Sequence, residues 1–269
     1  MKLAYMLATD EVGPHQVTAL RGPPEAACAA IRAAGFAGVE LLIRDAAAID
    51  QGAVERAVRR AGLVVPAICT GEVFGEDGLS FADPDPGIRE AARARMTSAM
   101  ALGARFGAPV NVGRLRGRYH PGTPRAQTLG WIAEALETCC AAHPDVRVVI
   151  EPVNRQFTDC LCTTAQTMEF LRGLGIPTVG IMIDNVHVEV EGEDMAAALA
   201  LADPVLWHLH ISDSARLPLG AGSYDLRATL DLYERCRPGG WVTVETFQTP
   251  DDDTALGQSA AFLEGAGRP

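Results

Sequence analysis

Val146-Arg-Val-Val-Ile-Glu151, Thr178-Val-Gly-Ile-Met-Ile-Asp184, Val205-Leu-Trp-His-Leu-His-Ile211 and Trp241-Val-Thr-Val-Glu-Thr246 are four short apolar runs, each ending at or near a residue able to ligate a metal. Those residues are Glu151, Asp184, His210 and Glu245, spaced 33, 26 and 35 positions apart. Each gap is long enough for one helix and a return crossover. The runs therefore read as successive βα units whose strands end at a common rim.

Working outward, the same alternation fills the chain. Further strand-like runs are expected at Leu3–Leu7, Gly38–Ile43, Val64–Cys69 and Pro109–Gly113. Ala-rich segments with helical periodicity lie near 24–34, 51–61, 86–106, 125–142, 164–173, 194–202, 226–236 and 253–265. Eight strands alternate with eight helices, and near-continuous apolar strands indicate a parallel sheet buried on both faces. The expectation is an α/β chain forming a single (β/α)8 barrel domain over residues 1–269. An open doubly wound sheet fits less well, because Ala8-Thr9-Asp10-Glu11 is no glycine-rich phosphate turn. Glycines such as Gly62 and Gly175 follow helices and mark the barrel floor, whereas the longer polar loops at 70–85, 114–124, 152–163 and 212–225 mark the catalytic face.

Composition narrows the function. The chain has 269 residues, 48% of them hydrophobic, enough for a large core. Its formal charge of −11 argues against a nucleic-acid partner, since phosphate binding needs clustered Lys and Arg. The N-terminal apolar run is too short for a signal peptide, and no run reaches the roughly 18 apolar residues of a membrane span. A cytoplasmic, membrane-free protein is expected. Seven cysteines, without zinc-finger spacing, read as reduced thiols.

Three carboxylates with one imidazole form an oxygen-rich donor set suited to one divalent ion, Mn²⁺ first, with Mg²⁺ or Co²⁺ as substitutes. Such an ion can bind a ketone and its neighbouring hydroxyl and acidify the adjacent C–H. Glu151 and Glu245, on the fifth and eighth strands, approach from different sides. One can remove a proton and the other return it on the opposite face, through a metal-stabilised enediolate. The expected function is therefore a divalent-metal-dependent epimerase of a keto sugar or keto-sugar acid. An aldose–ketose isomerase uses the same parts, as does a lyase that starts from the same enolate; a non-catalytic sugar-binding barrel is more remote. Arg116, after strand four, is expected to pair with a substrate carboxylate. His208 is assigned to the helix-facing side of its strand, and Asp225 to capping the helix that starts near Leu226.

Glu151-Pro-Val-Asn-Arg155, Asp184-Asn-Val-His187, His208-Leu-His-Ile-Ser-Asp-Ser214 with Arg216, Gly220-Ala-Gly-Ser-Tyr-Asp225 and Val244-Glu245 resemble the xylose-isomerase-like TIM-barrel superfamily, in its sugar isomerase/epimerase branch. The likeness extends to Thr70–Ser80 and to Gly113-Arg-Leu-Arg-Gly-Arg118, and within the branch is strongest to ketose 3-epimerases and the 5-keto-L-gluconate epimerase type. It implies that Glu151, Asp184, His210 and Glu245 hold the ion, that Glu151 and Glu245 exchange the proton, and that His187 and Arg216 contact substrate oxygens. It also implies a homo-oligomer, dimer or tetramer. One departure is Phe157, where the family commonly carries a glutamate that binds the substrate end. The abasic-site endonucleases of the same superfamily need a multi-zinc cluster with more histidines than the six here.

Overall fold

A computed structural model describes residues 1–265; the last four positions of the expected 1–269 domain lie outside the described residues. Eight parallel strands close into a barrel in sequence order: β1 Lys2–Ala8, β2 Gly38–Leu42, β3 Ile68–Cys69, β4 Val110–Val112, β5 Val148–Ile150, β6 Val179–Asp184, β7 Leu206–Ile211 and β8 Trp241–Val244. Strand β1 closes the ring on β8, pairing Lys2 with Trp241 and Tyr5 with Val244. The expected (β/α)8 barrel is the one observed.

The helices are α1 Pro24–Ala33, α2 Gln51–Ala61, α3 Gly71–Gly75, α4 Pro86–Phe106, α5 Arg125–Ala142, α6 Thr164–Leu174, α7 Asn185–Glu191, α8 Met195–Ala202, α9 Leu226–Cys236 and α10 Asp252–Gly265. Their ends follow capping chemistry. Asp50 accepts the Ala53 amide at the start of α2, and Gly62, at φ 65°, ends it in the left-handed conformation that costs glycine least. Asp225 caps α9 through the Ala228 amide, as expected. Two short helices, α3 and α7, add to the expected eight. Asn185-Val-His-Val-Glu-Val-Glu191 alternates like a strand, but the Asp184 carboxylate accepts the Val186 amide and starts a helix instead.

The main core lies between strands and helices. Alternate strand residues such as Tyr5, Val39, Leu41, Ile68, Val110, Val148, Ile181, Leu209 and Val242 face outward into one large apolar cluster. Their neighbours in sequence face the lumen, by the two-residue period of a strand. That inner set is partly apolar, with Met6, Ala8, Leu42 and Cys69. It also holds a polar group: Glu40, Asn111, His208, His210 and Thr243 are all buried. His208 thus shares the lumen with His210, contrary to the expectation. Residues two apart on a strand point the same way, so the helix-facing assignment broke the strand's own period.

Candidate active site

Asp184 pairs with His210 across the β6–β7 ladder, and His210 with Thr243 across β7–β8. Glu151 and Glu245 lie one residue beyond the ends of β5 and β8, fixed by main-chain bonds to Val112 and Ile211. The ladder therefore brings four side chains from four adjacent strands to one level. One donor atom from each of Glu151, Asp184, His210 and Glu245 lies within 4.8 Å of the other three. The His210 Nδ1 atom is 3.0 Å from Glu245 Oε2, 3.7 Å from Glu151 Oε1 and 3.9 Å from Asp184 Oδ2.

Those residues fit a cation. His210 Nδ1 is fully buried yet has no hydrogen bond of acceptable geometry, so the atom facing the carboxylates is left bare. Its other nitrogen is taken: Nε2 donates to Glu40 Oε1 at 2.8 Å. A carboxylate behind a ligating imidazole fixes its tautomer and ring plane and increases its basicity. Glu40 serves both lumen histidines, since its Oε2 is 2.8 Å from His208 Nε2, which also meets Thr243 Oγ1 at 2.9 Å. The signal for Glu40 was a carboxylate inside the apolar run Gly38-Val-Glu-Leu-Leu42.

Charge inside the site is mutually compensated. Burial pushes the Glu245 carboxyl up, but the Arg216 guanidinium and His210 overcome this and hold it at about 2. Burial is likewise outweighed at Glu151, where His210 and His187 lower the carboxyl. His210 is raised, because Glu40 and Glu245 prevail over its desolvation. Arg216 Nη1 donates to Asp184 Oδ2 at 2.6 Å and to Glu245 Oε2 at 2.9 Å. Arg216 and Ala215 both have positive φ, 59° and 56°. This turn is pinned by the Arg216 carbonyl, which accepts from Thr246 Oγ1 and the Phe247 amide.

His187, on α7, faces the same space. Asn154 Oδ1 accepts the Gln156 amide, so its Nδ2 donates to His187 Nδ1 at 2.9 Å. His187 Nε2 lies 3.3 Å from Arg216 Nη2, which can only donate, and 3.8 Å from Glu151 Oε1, and burial lowers the ring's affinity for a second proton. The cavity, about 290 Å³, is lined by Glu151, Glu245, His187, Arg216, Asn111 and Thr18, with Phe157, Val153 and Phe247 as apolar wall. Phe157 is 46% exposed and its ring lies 6.1 Å from that of His187.

Arg116 belongs neither to the cavity lining nor to the Glu151, Asp184, His210 and Glu245 cluster. It is fully buried, and its guanidinium donates to the carbonyls of Gly113, Glu151, Cys160 and Leu161. It stitches the loop after β4 to the loop after β5, where a substrate carboxylate cannot reach it. The neighbouring Arg114 does line the cavity, paired with Glu72 at 2.6 Å. Arg118 is exposed, over the Phe74 ring.

Residues 28–266 match the model of the xylose isomerase-like TIM barrel family. The chain belongs to that family. Among its relatives it is similar to a ketose 3-epimerase of Arthrobacter globiformis, 27% identical over 84% of this chain and 80% of the relative. It is 28% identical to an L-ribulose 3-epimerase of Mesorhizobium japonicum over 86% of this chain and 78% of that one. In fold it resembles the apo 3-keto-D-glucoside 4-epimerase YcjR of E. coli, at a TM-score of 0.80 and 21% identity, covering 98% of this chain and 99% of the other. Among the described residues no helix is long and apolar enough to cross a membrane.

Proposed function

We propose that this family member is an isomerase that epimerises a keto sugar with the help of one divalent ion, Mn²⁺ foremost. The observation that carries the reading is the convergence of Glu151, Asp184, Glu245 and the bare Nδ1 of His210 on one point, with Glu151 and Glu245 also lining the cavity. Hard oxygen donors with one imidazole suit Mn²⁺, Mg²⁺ or Co²⁺. When bound, the ion polarises the substrate's ketone and so acidifies the adjacent C–H.

The chain's own residues supply the rest. Glu151 and Glu245 each turn one oxygen toward His210 and leave the other to the cavity. Both carboxyls are held below their ordinary range, so either can act as the base, and the one that serves as acid must first take a proton from solvent. One takes the proton and the other delivers one to the opposite face, which inverts the carbon. His187, through the Nε2 edge of its ring, and Arg216, through its guanidinium, face the sugar oxygens. Val153, Phe157 and Phe247 cover the apolar side of the ring and keep water out. Arg116 is buried and Arg114 is paired with Glu72, so we infer a neutral keto sugar in preference to a keto-sugar acid. The seven free cysteines fit the reducing cytoplasm.

The test is a panel of ketohexoses, ketopentoses and keto-uronic acids incubated with Mn²⁺ in D₂O. Deuterium should enter at the carbon beside the carbonyl with formation of the epimer. Chelation should abolish the reaction, and Mn²⁺, Co²⁺ or Mg²⁺ restore it. An aldose product would assign a ketol isomerase instead; no exchange with any sugar and any of these ions would reject the proposal.

A further inference from the structure

Each glutamate of the pair is gripped by one neutral donor through the oxygen that it does not turn to His210. Asn111 Nδ2 donates to Glu151 Oε2 at 2.9 Å, and Thr18 Oγ1 donates to Glu245 Oε1 at 2.8 Å. The two donors come from different places, the middle of β4 and the loop after β1. All four residues line the cavity. Neither donor is a casual contact. Asn111 is 1% exposed, and its orientation is set by chemistry, since a carboxylate accepts only and must face the amide's N–H₂.

The Thr18 loop is braced throughout. Leu20 exchanges main-chain bonds with Met6 and Ala8, Val12 and Val17 are buried in the lumen cluster, and Arg21 donates to the carbonyls of Val12, Gly13 and His15. A carboxylate oxygen keeps a second lone pair after accepting one hydrogen bond. Holding Oε2 of Glu151 and Oε1 of Glu245 at fixed points on the cavity wall therefore still leaves each oxygen a lone pair to take a proton.

We propose that Thr18 and Asn111 are paired positioning residues, one for each base, and that together they determine how an enediolate is shared between return and inversion. This rests on the epimerase reading. In each turnover one glutamate oxygen takes the proton as the C–H bond breaks, the electron pair staying on the sugar. The glutamic acid opposite then gives its proton to the other face. Loosening Glu245 slows transfer on its face only, so an enediolate made by Glu151 returns to its starting epimer more often. Loosening Glu151 does the same for the other epimer.

The experiment follows deuterium wash-in to recovered substrate against product formation, in D₂O with saturating Mn²⁺, from each epimer in turn. Thr18→Val should lower kcat about tenfold, the low end for a residue that orients a reacting group, with KM and equilibrium Mn²⁺ binding within about twofold of the parent. Its wash-in per turnover should rise from one epimer and fall from the other. Asn111→Leu should give the mirror image, and Thr18→Ser should restore the parental ratio. Equal changes from both epimers, or a Thr18→Val enzyme with the parental ratio, would overturn the pairing while leaving epimerisation intact. A parent enzyme that neither exchanges nor epimerises any keto sugar would remove both.

Discussion

Arg116→Met tests the reassignment of this residue from substrate clamp to internal tie. The change removes a guanidinium that donates to four main-chain carbonyls and leaves the oxygens of Gly113, Glu151, Cys160 and Leu161 short of a donor. Each unmet buried acceptor costs roughly 1–3 kcal/mol, for a gross loss of about 4–12 kcal/mol. Two effects reduce it. The buried guanidinium no longer has to be desolvated, and the Gly113 carbonyl still accepts the Arg116 amide at 3.3 Å. The net destabilisation should be about 3–5 kcal/mol, a large share of the stability of an ordinary domain. Leu161 sits at φ 54°, a conformation that a tightly held loop can impose on leucine, and should relax when its tie is cut. Urea unfolding followed by fluorescence measures the loss, and Arg116→Lys, with three donors on a point charge, should recover only part of it. An Arg116→Met protein as stable as the parent, but selectively impaired on acidic sugars, would refute the internal tie and reinstate the clamp.

Glu151→Gln and Glu245→Gln should each lower kcat by about 10²–10⁴, the range for a lost general base, with an unchanged far-UV CD spectrum; full activity in either variant would take that residue out of proton transfer. Glu40→Gln keeps one acceptor for two histidines and should weaken Mn²⁺ binding by about 10–100-fold, measured by titration calorimetry. Parental affinity there would mean that His210 needs no support from behind. In thiol labelling at pH 8, Cys28 and Cys140, which burial raises to about 11, are mostly protonated and should react far more slowly than in urea. The half-buried Cys236 should label first, and rapid labelling of the others in the native protein would contradict their burial.

The strand ends were legible because barrel strands are short apolar runs and the ligand-type residues interrupt them: Glu151, Asp184 and Glu245 stand where hydrophobicity stops, and His210 one residue before it does. What escaped was whatever depends on a partner remote in sequence. Glu40 and His208 meet 168 positions apart, and nothing local says that a carboxylate in β2 faces an imidazole in β7. Thr18 reaches Glu245 over 227 positions, from a loop with no motif of its own. Arg116 misled for a different reason. Its position after β4 matched a catalytic loop, but direction along a single 3₁₀ turn, Arg114–Arg116, decides which guanidinium enters the cavity, and that turn sends Arg114 inward to the pocket and Arg116 into the wall.

Alternate residues of every strand divide the labour of this barrel between two sets of atoms. Outward-facing aliphatics hold the shell together, while reactive groups hang from the same backbone on its inner surface. Exchanging an inner side chain for another of similar size therefore leaves the cohesion of the shell almost untouched. A scaffold partitioned in this way can trade one sugar for another by altering a few rim positions, such as 153 and 157, without first having to acquire spare stability.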